Sequence, residues 1–222
     1  HLKFIIQQLK DYYMYCIVME KIFELKEETL SEELYIKKEE IENDESHILL
    51  DVYHYNSEIF SQINITSLFT TVFGFIEYEL KKICNYHNKL SEINISMNDF
   101  KGNSEFEKSK NYLTKICKID FNSLNPEWNY LLTAKEIRNI LTHSQGEFVQ
   151  NNDRKSKKII QFIHKREYLD FIPNEEFGNE EDSLYSLDGK IIFKSAEISK
   201  ELIDNAEIFF NKLLKNNLKY YS

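Results

Sequence analysis

Residues 69–83 read FTTVFGFIEYELKKI, and the spacing of their apolar side chains decides the fold class. Five large apolar residues recur at steps of four, three, four and three: Phe69, Phe73, Ile76, Leu80 and Ile83. An α-helix has about 3.6 residues per turn, so these steps place all five on one side of a helix. We expect a central core helix over about residues 46–88.

The rest of the chain is also suited to helices, because it contains only five glycines and two prolines. Asn125 followed by Pro126 favours a helix start, with Asn125 as the capping residue, and Gly146 favours a helix end. The expected helices cover residues 2–28, 105–117, 125–146 and 196–216, with a charged helical extension or solvated arm at 31–45.

Two short strands are predicted in the C-terminal half, at 158–163 and at 184–193. The second contains Asp188 and Gly189, which favour the tight turn of a hairpin. The predicted fold is therefore all-α, with long N-terminal helices and a small β-hairpin appendage. We expect N-terminal helices and a charged arm at 1–45, and a helical domain at 46–222 with a β insertion at about 157–194.

The net charge of −9 argues against broad electrostatic attraction to nucleic acid, which is driven by clustered Lys and Arg. The charge is unevenly distributed, however. Residues 24–47 contain ten acidic residues and three lysines, whereas residues 154–166 contain six basic residues and no acidic one. A nucleic-acid path would therefore run near the second stretch and away from the first.

Cysteine content and hydropathy bear on the compartment. The three cysteines lie far apart in sequence and form no Cys-x-x-Cys pattern, which fits a reducing, cytoplasmic environment. The longest apolar stretches, such as residues 67–76, are too short to cross a bilayer. We expect no membrane partner.

The segment with the clearest chemical character is Arg138-Asn139-Ile-Leu-Thr142-His143, near the end of the predicted helix 125–146. Arg offers a forked set of donors to phosphate oxygens, and His exchanges a proton near neutral pH. A His five residues after an Arg arises by chance in roughly 8% of chains with this composition, so the spacing alone is a weak signal.

The context adds to that signal. Residues 136–146, EIRNILTHSQG, resemble the signature of the HEPN superfamily, in which Arg, then a polar residue that is often Asn, precedes His by four to six residues. In that family the motif ends a helix of a small four- or five-helix bundle. An earlier long helix often carries a Glu in apolar surroundings, as Glu77 stands within residues 73–80 here. The resemblance extends over about residues 46–216.

This resemblance implies a metal-independent endoribonuclease that needs no cofactor, is a toxin or phage-defence effector, and acts as a homodimer. Arg138 would hold the scissile phosphate and His143 would transfer protons during attack by the 2′-hydroxyl group. Asn139 would orient or assist, with Glu77 and Thr142 in supporting positions. An antitoxin or another defence protein would be a partner.

The chain departs from the family pattern at one position, and the family itself leaves an alternative open. A toxin subgroup of the family has Tyr two residues after the His, where this chain has Gln145, which argues against control by adenylylation of that Tyr. Other members lack catalysis, so a dimeric interaction module or a nucleotide-binding module is the alternative.

The helix geometry itself predicts a dimer. Arg138 and His143 lie about 140° apart around their helix, and Leu132 lies almost in line with His143 on the same polar face. A twofold axis beside this face would bring Arg138 of one chain near His143 of the other, with Leu132 at the seam.

Two further clusters of polar residues carry possible chemistry. Four residues at helical spacing could ligate zinc or iron, although a solvated helix face explains them more simply: His47, Asp51, His54 and Glu58. The basic stretch either forms an exposed strand, whose lysines deter edge pairing, or binds RNA. The RNA-binding candidates are Arg154, Lys155, Lys157 and Lys158.

Overall fold

The computed structural model describes residues 1–37, 45–91, 93–102, 104–148, 154–173 and 188–216. These ranges form seven α-helices and one small three-stranded sheet, which confirms the predicted helical class with a β appendage. The helices are α1 (Leu2–Lys37), α2 (Glu45–His54), α3 (Ser61–Leu90), α4 (Glu105–Lys115), α5 (Asn125–Ser144), α6 (Arg154–His164) and α7 (Glu197–Asn211). The strands are β1 (Glu147–Phe148), β2 (Leu169–Pro173) and β3 (Gly189–Phe193).

Helix α3 is the central helix of the core. All five residues of its predicted apolar stripe are buried, and α3 packs against α1, α4, α5 and α7. A π-helical turn at Tyr55–Phe60 separates α2 from α3, so the predicted helix at 46–88 is two helices rather than one.

Helix α1 runs without a break through residues 29–31, where two separate segments were expected. Its first half joins the core by packing on α3 and α7, with Leu2, Ile5, Leu9 and Cys16 buried. The second half is mostly exposed. Residues 38–44 of the predicted charged arm lie outside the described residues.

The prediction of a strand at 158–163 is wrong, because these residues belong to α6. Ile159, Phe162 and Ile163 are buried, and their spacing of three and then one residue matches one side of a helix. A half-buried strand would bury every second residue instead. Helix α6 packs on α5 and β2, so the segment predicted as a β insertion at 157–194 begins with a helix.

The sheet has the order β1-β3-β2, and both pairings are antiparallel. Gly189 lies within β3, opposite Phe148 and Pro173, and does not form the predicted tight turn with Asp188. A Cβ atom at Gly189 would come within 2.4 Å of the Ile172 carbonyl oxygen. Glycine is therefore needed here for close packing between strands. Residues 184–187 of the predicted hairpin lie outside the described residues.

Arg166 links the end of α6 to α7. Its Nε and Nη2 atoms each donate to the Glu201 carboxylate at 2.6 Å, and Tyr168 donates to the same carboxylate. The guanidinium also lies 3.4 Å from the centroid of the Phe162 ring. A paired guanidinium stacked on a ring has its donors satisfied and its flat face covered. The cluster thus holds α6, which carries the basic residues, in a defined place.

Candidate active site on helix α5

Helix α5 begins without the side-chain cap predicted for Asn125. The N-cap residue is Leu124, and Asn125 and Pro126 are the first helical residues. Asp120 instead caps the preceding 3-10 turn, because its carboxylate accepts a hydrogen bond from the Asn122 amide at 2.9 Å. Pro126 is tolerated because first-turn amides have no partner within the helix.

The other end of α5 is attached to the sheet. Gln145 and Gly146 have φ angles of 52° and 89°, which end the helix as predicted for Gly146. The Gly146 amide donates to the Ile140 carbonyl at 3.2 Å, and the Gly146 carbonyl accepts from the Ile191 amide of β3 at 3.0 Å. The sheet therefore fixes the helix end that carries His143.

Arg138 contacts α3, where Glu77 holds it. The Nη2 atom donates to the Glu77 carboxylate at 2.5 Å, and the guanidinium carbon lies 5.2 Å from the centroid of the Phe73 ring. Burial raises the pKa of Glu77, and the neighbouring Arg138 charge opposes that rise. The Nε atom of Arg138 is buried and has no hydrogen-bond partner among the described residues. Arg138 is thus a positioned cation whose buried Nε donor is unused among the described residues.

The remaining motif residues lie nearer to solvent. His143 is exposed and Asn139 is half-buried. Thr142 is exposed, and its hydroxyl donates to the Arg138 carbonyl one turn earlier at 2.9 Å. That hydroxyl is hydrogen-bonded to the helix backbone, and a supporting role for Thr142 in catalysis stays a prediction.

Arg138 and His143 leave α5 in different directions. Arg138 contacts α3, whereas His143 is in line, by helical spacing, with Leu132 and Glu136, which line a cleft beside α6. The two side chains of one protomer are therefore splayed around the helix, as the sequence spacing predicts.

The cleft between α5 and α6 has a volume of about 390 Å³. It is lined by Asn129, Leu132, Thr133 and Glu136 of α5 and by Arg154, Lys155, Lys158 and Ile159 of α6. Lys155 Nζ lies 2.6 Å from the Glu136 carboxylate. The lining thus carries three basic groups and one acidic group in a chain whose net charge is −9.

Three of the four predicted RNA-binding residues line this cleft, while Lys157 is exposed on α6 and does not line it. The sequence pattern did not indicate Asn129, Thr133 or Glu136 as site residues. The signal that could have indicated them is the helical spacing of the apolar residues in 154–164. A helix there, packed on α5, can bring its basic side chains opposite these residues.

The alternative metal cluster is only partly described. Asp51 and His54 are exposed on α2, but the side chains of His47 and Glu58 lie outside the described residues. Among the side chains that are described, no group of three or more His, Cys, Asp or Glu residues is placed to hold a metal ion.

Within the described ranges, no helix has both the length and the apolar character needed to cross a membrane. No protein-family model matches the chain, and neither does any curated protein or any solved structure.

Proposed function

We propose that this protein is a metal-independent endoribonuclease of the HEPN type that acts as a homodimer. The observation that carries the proposal is the contact between Arg138 and Glu77 at 2.5 Å. It joins the two segments on which the HEPN resemblance rests, residues 136–146 on α5 and residues 73–80 on α3. A half-buried carboxylate beside the arginine gives the guanidinium a fixed position, which electrostatic catalysis requires.

In the proposed reaction the 2′-hydroxyl oxygen attacks the adjacent phosphorus, and the bond from phosphorus to the 5′ oxygen breaks. The hydroxyl proton leaves to a base, and a proton is delivered to the departing oxygen. The products are a 2′,3′-cyclic phosphate and a 5′-hydroxyl end. His143 transfers protons, Arg138 stabilises the added negative charge on phosphate oxygens, and Asn139 orients the reacting groups.

The dimer follows from the splayed directions of Arg138 and His143. A twofold arrangement can place Arg138 of one protomer beside His143 of its partner, so that each composite site uses both chains. A cytoplasmic toxin or phage-defence effector, held inactive by an antitoxin or another defence protein, is the biological setting that we propose for this activity.

A second candidate function is favoured by one observation. The Arg138 side chain is largely covered and already paired with Glu77, the environment expected of a structural ion pair. The alternative is therefore a non-catalytic dimeric interaction module or nucleotide-binding module in which Arg138 stabilises the bundle.

Incubation of total RNA with purified protein separates the two functions. The wild-type protein and His54→Ala, which changes an exposed histidine of α2, should both produce RNA fragments. His143→Ala should cleave roughly 100-fold more slowly if His143 is the acid-base group. Cleavage at equal rates by the wild type and His143→Ala would contradict the proposal. RNA or nucleotide binding by the wild type without cleavage would favour the non-catalytic alternative.

A further inference from the structure

We infer that the cleft between α5 and α6 is a nucleotide-binding subsite that holds single-stranded RNA beside the reaction centre. In this arrangement the phosphates contact Arg154 and Lys158, and a base packs against Leu132. The choice of RNA as the ligand rests on the proposed function, whereas the location of the subsite rests on the cleft itself.

The charges of the cleft favour an anion. Lys155 is neutralised by Glu136, but Arg154 and Lys158 have no ion-pair partner among the described residues. Two cations at one cleft, neither in an ion pair with a described residue, create a local positive potential on an otherwise acidic protein. Polyanionic RNA would therefore be directed to this cleft and repelled from the acidic second half of α1.

The other lining residues favour a nucleotide over a simple phosphate ion. Leu132 offers an apolar surface to the face of a base, and the exposed Asn129 amide can donate to and accept from a base edge. The Thr133 hydroxyl donates to the Asn129 backbone carbonyl at 3.1 Å and keeps its capacity as an acceptor. An apolar surface, an amide and cations within about 390 Å³ are the groups that a base with its phosphates needs.

The position of the cleft relates it to His143. His143 follows Glu136 by seven residues and Leu132 by eleven, so it lies roughly 10 to 17 Å farther along the same side of α5. A strand bound in the cleft can continue along α5 to His143. The cleft would then hold nucleotides next to the cleaved bond and influence which sequences are cut.

A matched pair of charge reversals tests this inference. Lys158→Glu changes a cleft residue, whereas Lys157→Glu makes the same charge change at an exposed neighbour outside the cleft. Both are made in the His143→Ala background, so that RNA survives, and circular dichroism confirms that both fold. Binding of a fluorescent single-stranded RNA of about eight nucleotides is followed by fluorescence anisotropy at several salt concentrations.

We expect Lys158→Glu to weaken binding about 10-fold and to reduce the salt slope by about 1, and Lys157→Glu to weaken it less than about twofold. A strand with abasic sugars should bind more weakly than the normal RNA. Equal effects of the two reversals would overturn the inference, and so would equal binding of the abasic strand.

The failure of this inference can be told apart from the failure of the proposed function. If cleavage depends on His143 but the two lysine variants bind RNA alike, the subsite is wrong and the ribonuclease stands. If only Lys158→Glu loses RNA binding and the wild type cleaves nothing, the subsite stands and the ribonuclease is wrong.

Discussion

Arg138 of α5 and Glu77 of α3 are 61 residues apart in sequence and form an ion pair with an N–O distance of 2.5 Å. The pair lies between two helices of the core, with the Phe73 ring beneath the guanidinium. It therefore restrains the arginine of the candidate site and at the same time joins α5 to α3.

The first prediction concerns the pH dependence of stability. Burial raises the pKa of Glu77, so the folded protein holds that proton more tightly than the unfolded chain does. This contribution to stability is complete below the unfolded pKa and is lost as pH rises through the folded pKa. Glu77→Gln removes it. We expect the unfolding free energy of the wild type, minus that of Glu77→Gln, to fall as the pH is raised from acid to neutral, above the unfolded pKa of about 4.3.

Urea denaturation of both proteins across this range is the measurement. A difference that rises with pH would show that the attraction of Arg138 outweighs the cost of burying the carboxylate, contrary to the prediction.

The second prediction concerns the chemistry of cleavage. RNA cleavage should persist in EDTA and leave 2′,3′-cyclic phosphate or 3′-phosphate ends, because attack by the 2′-hydroxyl needs only proton transfer and charge stabilisation. Arg138→Lys should also be damaging, since lysine keeps the charge and loses the forked donors. End-group analysis of the fragments is the measurement, and a strict requirement for Mg²⁺ or Mn²⁺ would rule this mechanism out.

The third prediction concerns assembly. Light scattering should show a dimer, and mixing the inactive variants Arg138→Ala and His143→Ala should restore activity. In a mixed dimer one composite site contains both mutations, whereas the other keeps both native side chains. Activity per mixed dimer should therefore approach half that of the wild type. A fully active monomer, or no recovery on mixing, would argue against a site shared between chains.

The fourth prediction concerns the sheet that fixes the end of α5. Gly189→Ala should destabilise the protein by about 1 to 3 kcal/mol, because its Cβ would lie 2.4 Å from the Ile172 carbonyl oxygen. Gly74→Ala is the matched control, since a Cβ at this exposed position of α3 meets no atom within 4 Å. It should stabilise the protein by about 0.5 to 1 kcal/mol. Thermal unfolding of both variants measures the contrast, and equal destabilisation would contradict it.

The apolar stripe of α3 and the end of α5 at Gly146 were both predictable from the sequence. Each depends on a local period or on a local backbone preference, and a few neighbouring residues carry that information. The splayed directions of Arg138 and His143 were predictable for the same reason, because a helix fixes the angle between positions five residues apart.

Tertiary packing decided the features that join distant segments. The short apolar and basic run at 158–163 suggested a strand, but it forms part of α6, whose packing on α5 and β2 accompanies the burial of Ile159, Phe162 and Ile163. Gly189 suggested a turn, but its neighbours across the sheet require a residue without a side chain. The partner of Arg138 and the cleft beside α6 arise because α3 and α6 pack on α5. Such contacts depend on the three-dimensional arrangement of whole helices, which the local spacing of residues does not determine.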